Sequence, residues 1–355
     1  MSLLRLKFPK VLRPIVLIGA GGVVKDAHLP AYRKAGFPVF SIFDLDQDRA
    51  RLMAKEFGIT RVSRSLEDAV QSAPSEAVFD IATPASAFLE VLSHLPEESV
   101  VLIQKPMGSD LDEARKIRNL CRTKRLTAAV NFQLRYAPAI RAARNLIAEG
   151  RIGDLHDMEV RVTVYTPWHL WRYLEQVPRV EILQHSVHYI DLMRSFLGDP
   201  ISVYARTIKH PKTINLASTR SNVILNYGDI VRANVTTNHD HDFGDRHQEA
   251  YVKWEGTRGA IKTRLGLLMD YPKGLPDQFE YCILEPGRSP EWLTLTIDGS
   301  WFPDAFIGTM ADLMCFAEGS ATELPGSVED AYKTMAVVEA AYESNAAGGT
   351  KVKND

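Results

Sequence analysis

Up to about residue 130 the chain alternates short, predominantly apolar runs with longer amphipathic stretches. Ile15-Val16-Leu17-Ile18, Val39 to Phe43, Ala77 to Ala82, Val100 to Ile103 and Ala128 to Val130 have the length and density of strands buried on both faces. Gln47 to Phe57, Leu66 to Val70 and Leu111 to Thr123 read as helices between them, with a short strand near Arg61-Val62. Strand and helix in alternation predict a parallel, doubly wound sheet. The apolar runs stop at Asp44, Thr83-Pro84, Gln104-Lys105-Pro106 and Asn131, and ligands of such sheets lie outside the carboxyl ends of the strands.

Beyond Asn131 the period changes. A helix, Ala137 to Glu149, leads into two-residue alternation through Asp157 to Val164. Further strand-like runs lie near Ser202 to Ile208, Ser221 to Tyr227, Ile230 to Thr236, Ala250 to Trp254, Phe279 to Leu284 and Leu293 to Thr296. Alternating strands with few crossover helices predict a large, mostly antiparallel sheet with one covered face. Helices Phe306 to Glu318 and Val328 to Ser344 follow. The expected organisation is a doubly wound α/β domain over residues 1–132 and an α+β domain over 133–355, with a ligand site in the cleft between them.

Composition narrows the function classes. The 355 residues are 45% hydrophobic and 24% charged with a net charge of −2, which fits a globular protein and gives no electrostatic footprint for nucleic acid. Cys121, Cys282 and Cys315 stand far apart without a C-x-x-C, so neither a disulfide framework nor a thiolate zinc site is expected, and a reducing cytoplasm is. No stretch is suited to a signal peptide or a bilayer span, so no membrane partner is expected.

The first chemical motif follows the first strand. Gly19-Ala20-Gly21-Gly22 joins Ile18 to an expected helix, a strand, glycine turn and helix that together make the Rossmann dinucleotide fingerprint. Gly19 permits the turn, Gly21 lets the backbone approach a pyrophosphate, and the helix N-terminus faces that anion. Val24 stands where a third Gly or Ala is usual, so helix and strand should sit further apart there. Asp44, about 23 residues beyond Gly21, is placed to bond an adenine-ribose diol and to repel a 2′-phosphate, which predicts NAD rather than NADP. Asp46 and Asp48 read as the first turn of the next helix.

The second motif is Glu181 to Leu192. Read as a regular helix, it puts Gln184, His188 and Asp191 on one face. Together with IGAGGVVKDAHLPAYRKAG, IATP at 81–84, QKPMG at 104–108, NFQLRYAP at 131–138, LIAEGRIGDL at 146–155, HSVHYIDLMRSFLG at 185–198, EGTRGAI at 255–261 and the segment at 327–348, it resembles the glucose-fructose oxidoreductase, inositol dehydrogenase and rhizopine-catabolism (Gfo/Idh/MocA) family over nearly the whole chain. The resemblance implies an NAD-dependent dehydrogenase of a sugar or polyol, oxidising aldose C1 to a lactone or a ring alcohol to a ketone.

Carried over by motif, Lys105 matches the family lysine that contacts substrate and His188 the acid/base histidine. The chemistry agrees: a neutral imidazole takes the hydroxyl proton, and an ammonium steadies the negative charge developing on oxygen. Gln104 and Gln184 replace family carboxylates, and Ala85 and Phe88 stand where Asn and His are frequent. Gln184, counted with Lys105 and His188 as catalytic, then bonds a sugar hydroxyl without shifting its neighbours' protonation. The cofactor set is Gly19, Gly21, Gly22, Val23, Val24, Asp44, Ala82, Thr83, Pro84, Gln104, Lys105, Asn131 and Arg135. The substrate set is Lys105, Trp168, Arg172, Gln184, His185 and His188, where Trp168, His169, Trp171 and Arg172 form either a cleft wall or a partly buried aromatic cluster.

The segment Asn238 to His247 is dense in His and Asp, and it reads as a polar loop that binds hydroxyls, with no metal. A homodimer or homotetramer is expected through an apolar open face of the second sheet. Two rival functions stay open: a cofactor-binding sensor without turnover, and an enzyme that keeps NAD bound and recycles it internally.

Overall fold

A computed structural model describes residues 6–353. By compactness the chain divides into two units, residues up to 141 together with 298–335, and residues 142–297 together with those from 336 onward. This departs from the expected split at 132/133. The cause is the Asp304–Ala317 helix, whose Phe306, Met310, Ala311, Leu313 and Met314 are buried in one cluster with Ile15, Tyr32, Val78, Leu102 and Ala129 of the first unit. Each large side chain buried in this way contributes roughly 1.5–3 kcal/mol.

Among the described residues the first unit holds six strands: β1 (Ile15–Ile18), β2 (Val39–Phe43), β3 (Arg61–Val62), β4 (Val78–Ile81), β5 (Val100–Ile103) and β6 (Thr127–Val130). Their order is β3-β2-β1-β4-β5-β6, all parallel, the doubly wound arrangement expected. β1, β4 and β5 are buried at every residue, which is why their apolar runs show no alternation. Three of the helices between them start where capping side chains sit. Asp46 accepts the N–H of Arg49, Ser65 that of Asp68, and Asp110 that of Glu113. Asp46 is therefore the cap and Asp48 lies in the first turn.

The second unit holds β7 (Leu155–Thr163), β8 (Ser202–Ile208), β9 (Arg220–Asn226), β10 (Arg232–Asn238), β11 (Glu249–Gly256), β12 (Gly259–Arg264), β13 (Gln278–Ile283) and β14 (Leu293–Leu295). Their order is β14-β13-β12-β11-β7-β10-β9-β8, antiparallel except where β10 runs parallel to β7. β12 has no counterpart among the runs read from sequence. It forms a hairpin with β11, and its Lys262 and Arg264 alternate with buried Ile261 and Thr263.

One face is buried through Met158, Val160, Val162, Val235, Val252 and Trp254. The other is more polar than expected. Arg161 pairs with Glu249 at 2.7 Å, Arg232 with Asp157 at 2.5 Å, and Lys262 lies 4.2 Å from the Tyr251 ring centre. Exposed apolar groups toward the two ends of the sheet are Tyr204 and Ile208 on β8, Ile224 on β9 and Leu293 on β14. No helix among the described residues is long and apolar enough to cross a membrane.

Candidate active site

The glycine turn is set by close contact. Gly19 has φ +112°, and a Cβ there would sit 2.5 Å from the Ala82 carbonyl oxygen, so the turn after β1 and the end of β4 touch through backbone alone. Ala82 N–H donates to Ile18 over 2.8 Å, and Gly19 N–H to Phe43 over 2.7 Å. At Gly21 and Gly22 a Cβ would meet nothing within 4 Å, so this side of the turn is open. The helix does not begin as a regular one. Val24–His28 forms a wide π-type turn in which Leu29 N–H bonds the Val24 carbonyl, a local feature frequent at functional sites. Val24 is fully buried with Leu17, Leu29, Ile42 and Met53, so an isopropyl group fills the strand–helix contact of the missing glycine. Val23 is partly buried beside it.

Asp44 stands at the end of β2. Its Oδ2 accepts Ala20 N–H over 2.7 Å and its Oδ1 accepts Asp46 N–H over 2.8 Å. A carboxylate has about four acceptor sites, so each oxygen keeps capacity for a diol. Two further polar groups at strand ends lack partners. Thr83 Oγ1 is buried without one, between partly buried Ala82 and exposed Pro84. Asn131, after β6, accepts from Thr309 Oγ1 at 2.8 Å, while its Nδ2 is buried without an acceptor. An open turn, a ribose-length carboxylate and two orphaned polar groups at the carboxyl edge fit a dinucleotide. Arg135 instead pairs with Asp330 at 2.7 Å.

Gln104, counted in the cofactor set from sequence, instead has its side chain turned inward. Its Nε2 lies 2.9 Å from His28 Nε2, and its Oε1 accepts Lys105 N–H over 2.8 Å. His28 Nδ1 in turn lies 2.7 Å from Asp80 Oδ2, with all three side chains buried. His28 and Asp80 were not singled out from sequence, although an aspartate inside the apolar run Val78-Phe79-Asp80-Ile81 is itself a signal. Lys105, partly accessible past the end of β5, has its ammonium pushed down to about 8 by burial.

In the second unit, Gln184 and His185 lie in another π-type turn, Glu181–Ser186, and the regular helix starts at Val187 with His188 buried next to it. A wide turn takes an extra residue, so the single helical face expected for Gln184, His188 and Asp191 is interrupted. His185 packs 4.5 Å from His239 and 5.3 Å from Trp168, ring centre to ring centre. Trp168 Nε1 donates to Asp240 Oδ1 over 3.1 Å, and Thr166 Oγ1 lies 2.9 Å from His239 Nδ1. Trp168 thus belongs to a packed aromatic group, while His169 and Arg172 are exposed.

Glu181, not singled out from sequence, is fully buried, with its Oε1 3.5 Å from His239 Nε2 and accepting from Ser186 Oγ at 2.7 Å. Burial pushes its carboxyl up, but nearby His239 and the hydroxyls of Ser221 and Ser186 outweigh this and hold it below the usual range. Half of the His/Asp loop is therefore internal. The rest, His241, Asp242 and Asp245, lines a cavity of about 300 Å³ with Tyr165, Asp270 and Tyr271. No group of three His, Cys, Asp or Glu side chains suited to a metal occurs among the described residues.

Residues 13–132 match the model of the oxidoreductase family with the NAD-binding Rossmann fold, and residues 140–262 match the Gfo/Idh/MocA C-terminal domain. The first unit is accordingly an NAD-binding Rossmann unit. A 1,5-anhydro-D-fructose reductase of Ensifer adhaerens is 32% identical over 186 residues, 52% of this chain and 56% of that protein, so the chain spans about half the length of this relative. A D-apiose dehydrogenase of Rhizobium rhizogenes is 25% identical over 328 residues, 89% of this chain and 90% of the relative. The structure of a levoglucosan dehydrogenase complex with NADH and levoglucosan superposes with a TM-score of 0.77 at 19% identity, over 94% of this chain and 97% of that one, a likeness of fold.

Proposed function

This chain belongs to the Gfo/Idh/MocA oxidoreductase family, and we propose that it is an NAD-dependent dehydrogenase of a sugar or polyol. Lys105 carries this assignment. It lies at the carboxyl edge of the Rossmann sheet, near two orphaned polar groups, with an ammonium that burial has brought into the range of neutral chemistry. His188 is the base for the proton of the substrate hydroxyl, and Lys105 is the cation for negative charge developing on a substrate oxygen. Bound NAD supplies the hydride acceptor. Gly19, Gly21, Gly22, Asp44, Thr83 and Asn131 hold the cofactor. Gln184, His185 and Arg172 contact substrate hydroxyls, and the ring of Trp168 faces the sugar's C–H surface. The product is a lactone when aldose C1 is oxidised, or a ketone when a ring alcohol is.

The relatives named for sugar reduction and dehydrogenation support this substrate class. Two further proposals accompany it, a cytoplasmic location, which three buried unpaired cysteines support, and a homodimer or homotetramer, to be read by light scattering. The test is an NAD-reduction screen over pentoses, hexoses, anhydrosugars, inositols and sugar acids. Steady release of NADH with one of them is expected. Tight NAD binding with no turnover on any would replace the dehydrogenase by a sensor, and turnover without released NADH by an internally recycling enzyme.

A further inference from the structure

Asp80 lies inside β4, fully buried, and its Oδ2 receives two donors: His28 Nδ1 at 2.7 Å and Tyr32 Oη at 2.6 Å. From the other nitrogen of His28 the chain continues through the Gln104 amide to the main chain of Lys105. The protons along this chain can be assigned. Lys105 N–H is only a donor, so it must meet the amide oxygen of Gln104. That turns the amide nitrogen of Gln104, also only a donor, toward His28. His28 Nε2 must then accept, and the ring proton resides on Nδ1, where Asp80 receives it. The other close neighbour of the ring, Phe306 at 4.8 Å between centres, brings no charge, and Tyr32 is engaged with Asp80.

We propose that Gln104 is a positioning residue for Lys105, fixing its main chain by way of a buried His28–Asp80 pair in which His28 is the neutral Nδ1–H tautomer. Three separate elements meet in this chain: the π-type turn after the glycines, the middle of β4 and the end of β5. The lysine is thereby tied to the segment that carries the cofactor turn. The effect on turnover rests on the function proposed above, whereas the tautomer does not. In Gln104→Glu an acceptor oxygen replaces the amide nitrogen, so one proton taken from solvent must lie between it and Nε2; imidazole, the stronger base, holds that proton, and His28 becomes an imidazolium between two carboxylates. The second oxygen of the introduced carboxylate would still accept Lys105 N–H.

The experiment is nitrogen NMR of the full chain labelled at histidine, with the His28 signals assigned by their loss in His28→Asn. Wild type should show a protonated Nδ1 and a bare Nε2, and Gln104→Glu should show both nitrogens protonated. A bare Nδ1 or an imidazolium in the wild type overturns the tautomer. In kinetics, Gln104→Leu should lower kcat roughly ten- to a hundredfold with KM for NAD unchanged, the size of a small misplacement of a reacting group. Gln104→Glu, which keeps the bond to Lys105, should retain more of the rate. Full kcat in Gln104→Leu overturns the positioning role. If that variant does not fold, the two spectra and the rate of Gln104→Glu still decide. A wild type that oxidises no sugar sinks the proposed function and leaves the NMR test standing.

Discussion

Asp44 Oδ2 accepts the main-chain N–H of Ala20 over 2.7 Å, so the carboxylate that ends β2 is held against the glycine turn. Its charge is thereby fixed at the edge where an adenine ribose would lie. NAD should be preferred, since a 2′-phosphate would bring like charges together. Asp44→Asn keeps an acceptor for Ala20 and removes the charge, so it should cut the ratio of kcat/KM for NAD over NADP roughly tenfold. Equal use of both cofactors by the wild type would show that Asp44 does not set the choice.

Lys105 should impose an alkaline limit on the rate. Its charged form is lost as pH rises through about 8, so kcat/KM should fall above that value. Lys105→Arg keeps the cation at all accessible pH and should move the limit upward. Lys105→Met should lower the rate yet melt higher at neutral pH. The sign follows from the folded pKa lying below the unfolded one: the charged form is penalised in the folded protein, at a cost on the order of 1–3 kcal/mol that fades as pH rises.

His188→Ala should slow turnover by roughly a hundredfold or more while NAD affinity, read by fluorescence, stays constant. Gln184→Asp probes the π-type turn. A carboxylate facing His188 favours its imidazolium, so the acid limb of the rate profile should move to higher pH. An unmoved limb means that the wide turn directs residue 184 elsewhere.

Gly19→Ala should destabilise the protein by about 1–3 kcal/mol, because it places a Cβ at a left-handed backbone and against the Ala82 carbonyl. Gly22→Ala is the control. Its Cβ points into open space, so melting should barely change, and any loss of NAD affinity then reports a cofactor lying on that side.

The first sheet was legible in sequence because its strands, buried on both faces, show as short, predominantly apolar runs without alternation. Asp44, Thr83, Lys105 and Asn131 could be placed for the same reason, since they are the residues at which those runs stop. Other features depend on contacts distant in sequence. The inward turn of Gln104 requires His28 and Asp80, and the burial of Trp168 requires His239 and Asp240, brought in by a strand far along the chain. The π-type turns were hidden because an i, i+3, i+4 pattern does not distinguish a regular turn from one with an inserted residue. β12 was missed because its alternate positions carry Lys and Arg over a short hairpin.

Since Phe306, Met310, Leu313 and Met314 complete the core on β1, β4, β5 and β6, the nucleotide-binding sheet leaves the ribosome well before the helix that covers it has been made. Synthesis of the intervening chain, at about 5–20 residues per second, leaves that apolar face uncovered for on the order of ten seconds or more. During this interval the nascent sheet is a surface for chaperones or for aggregation, and a fragment ending near the first boundary would carry the same exposure permanently.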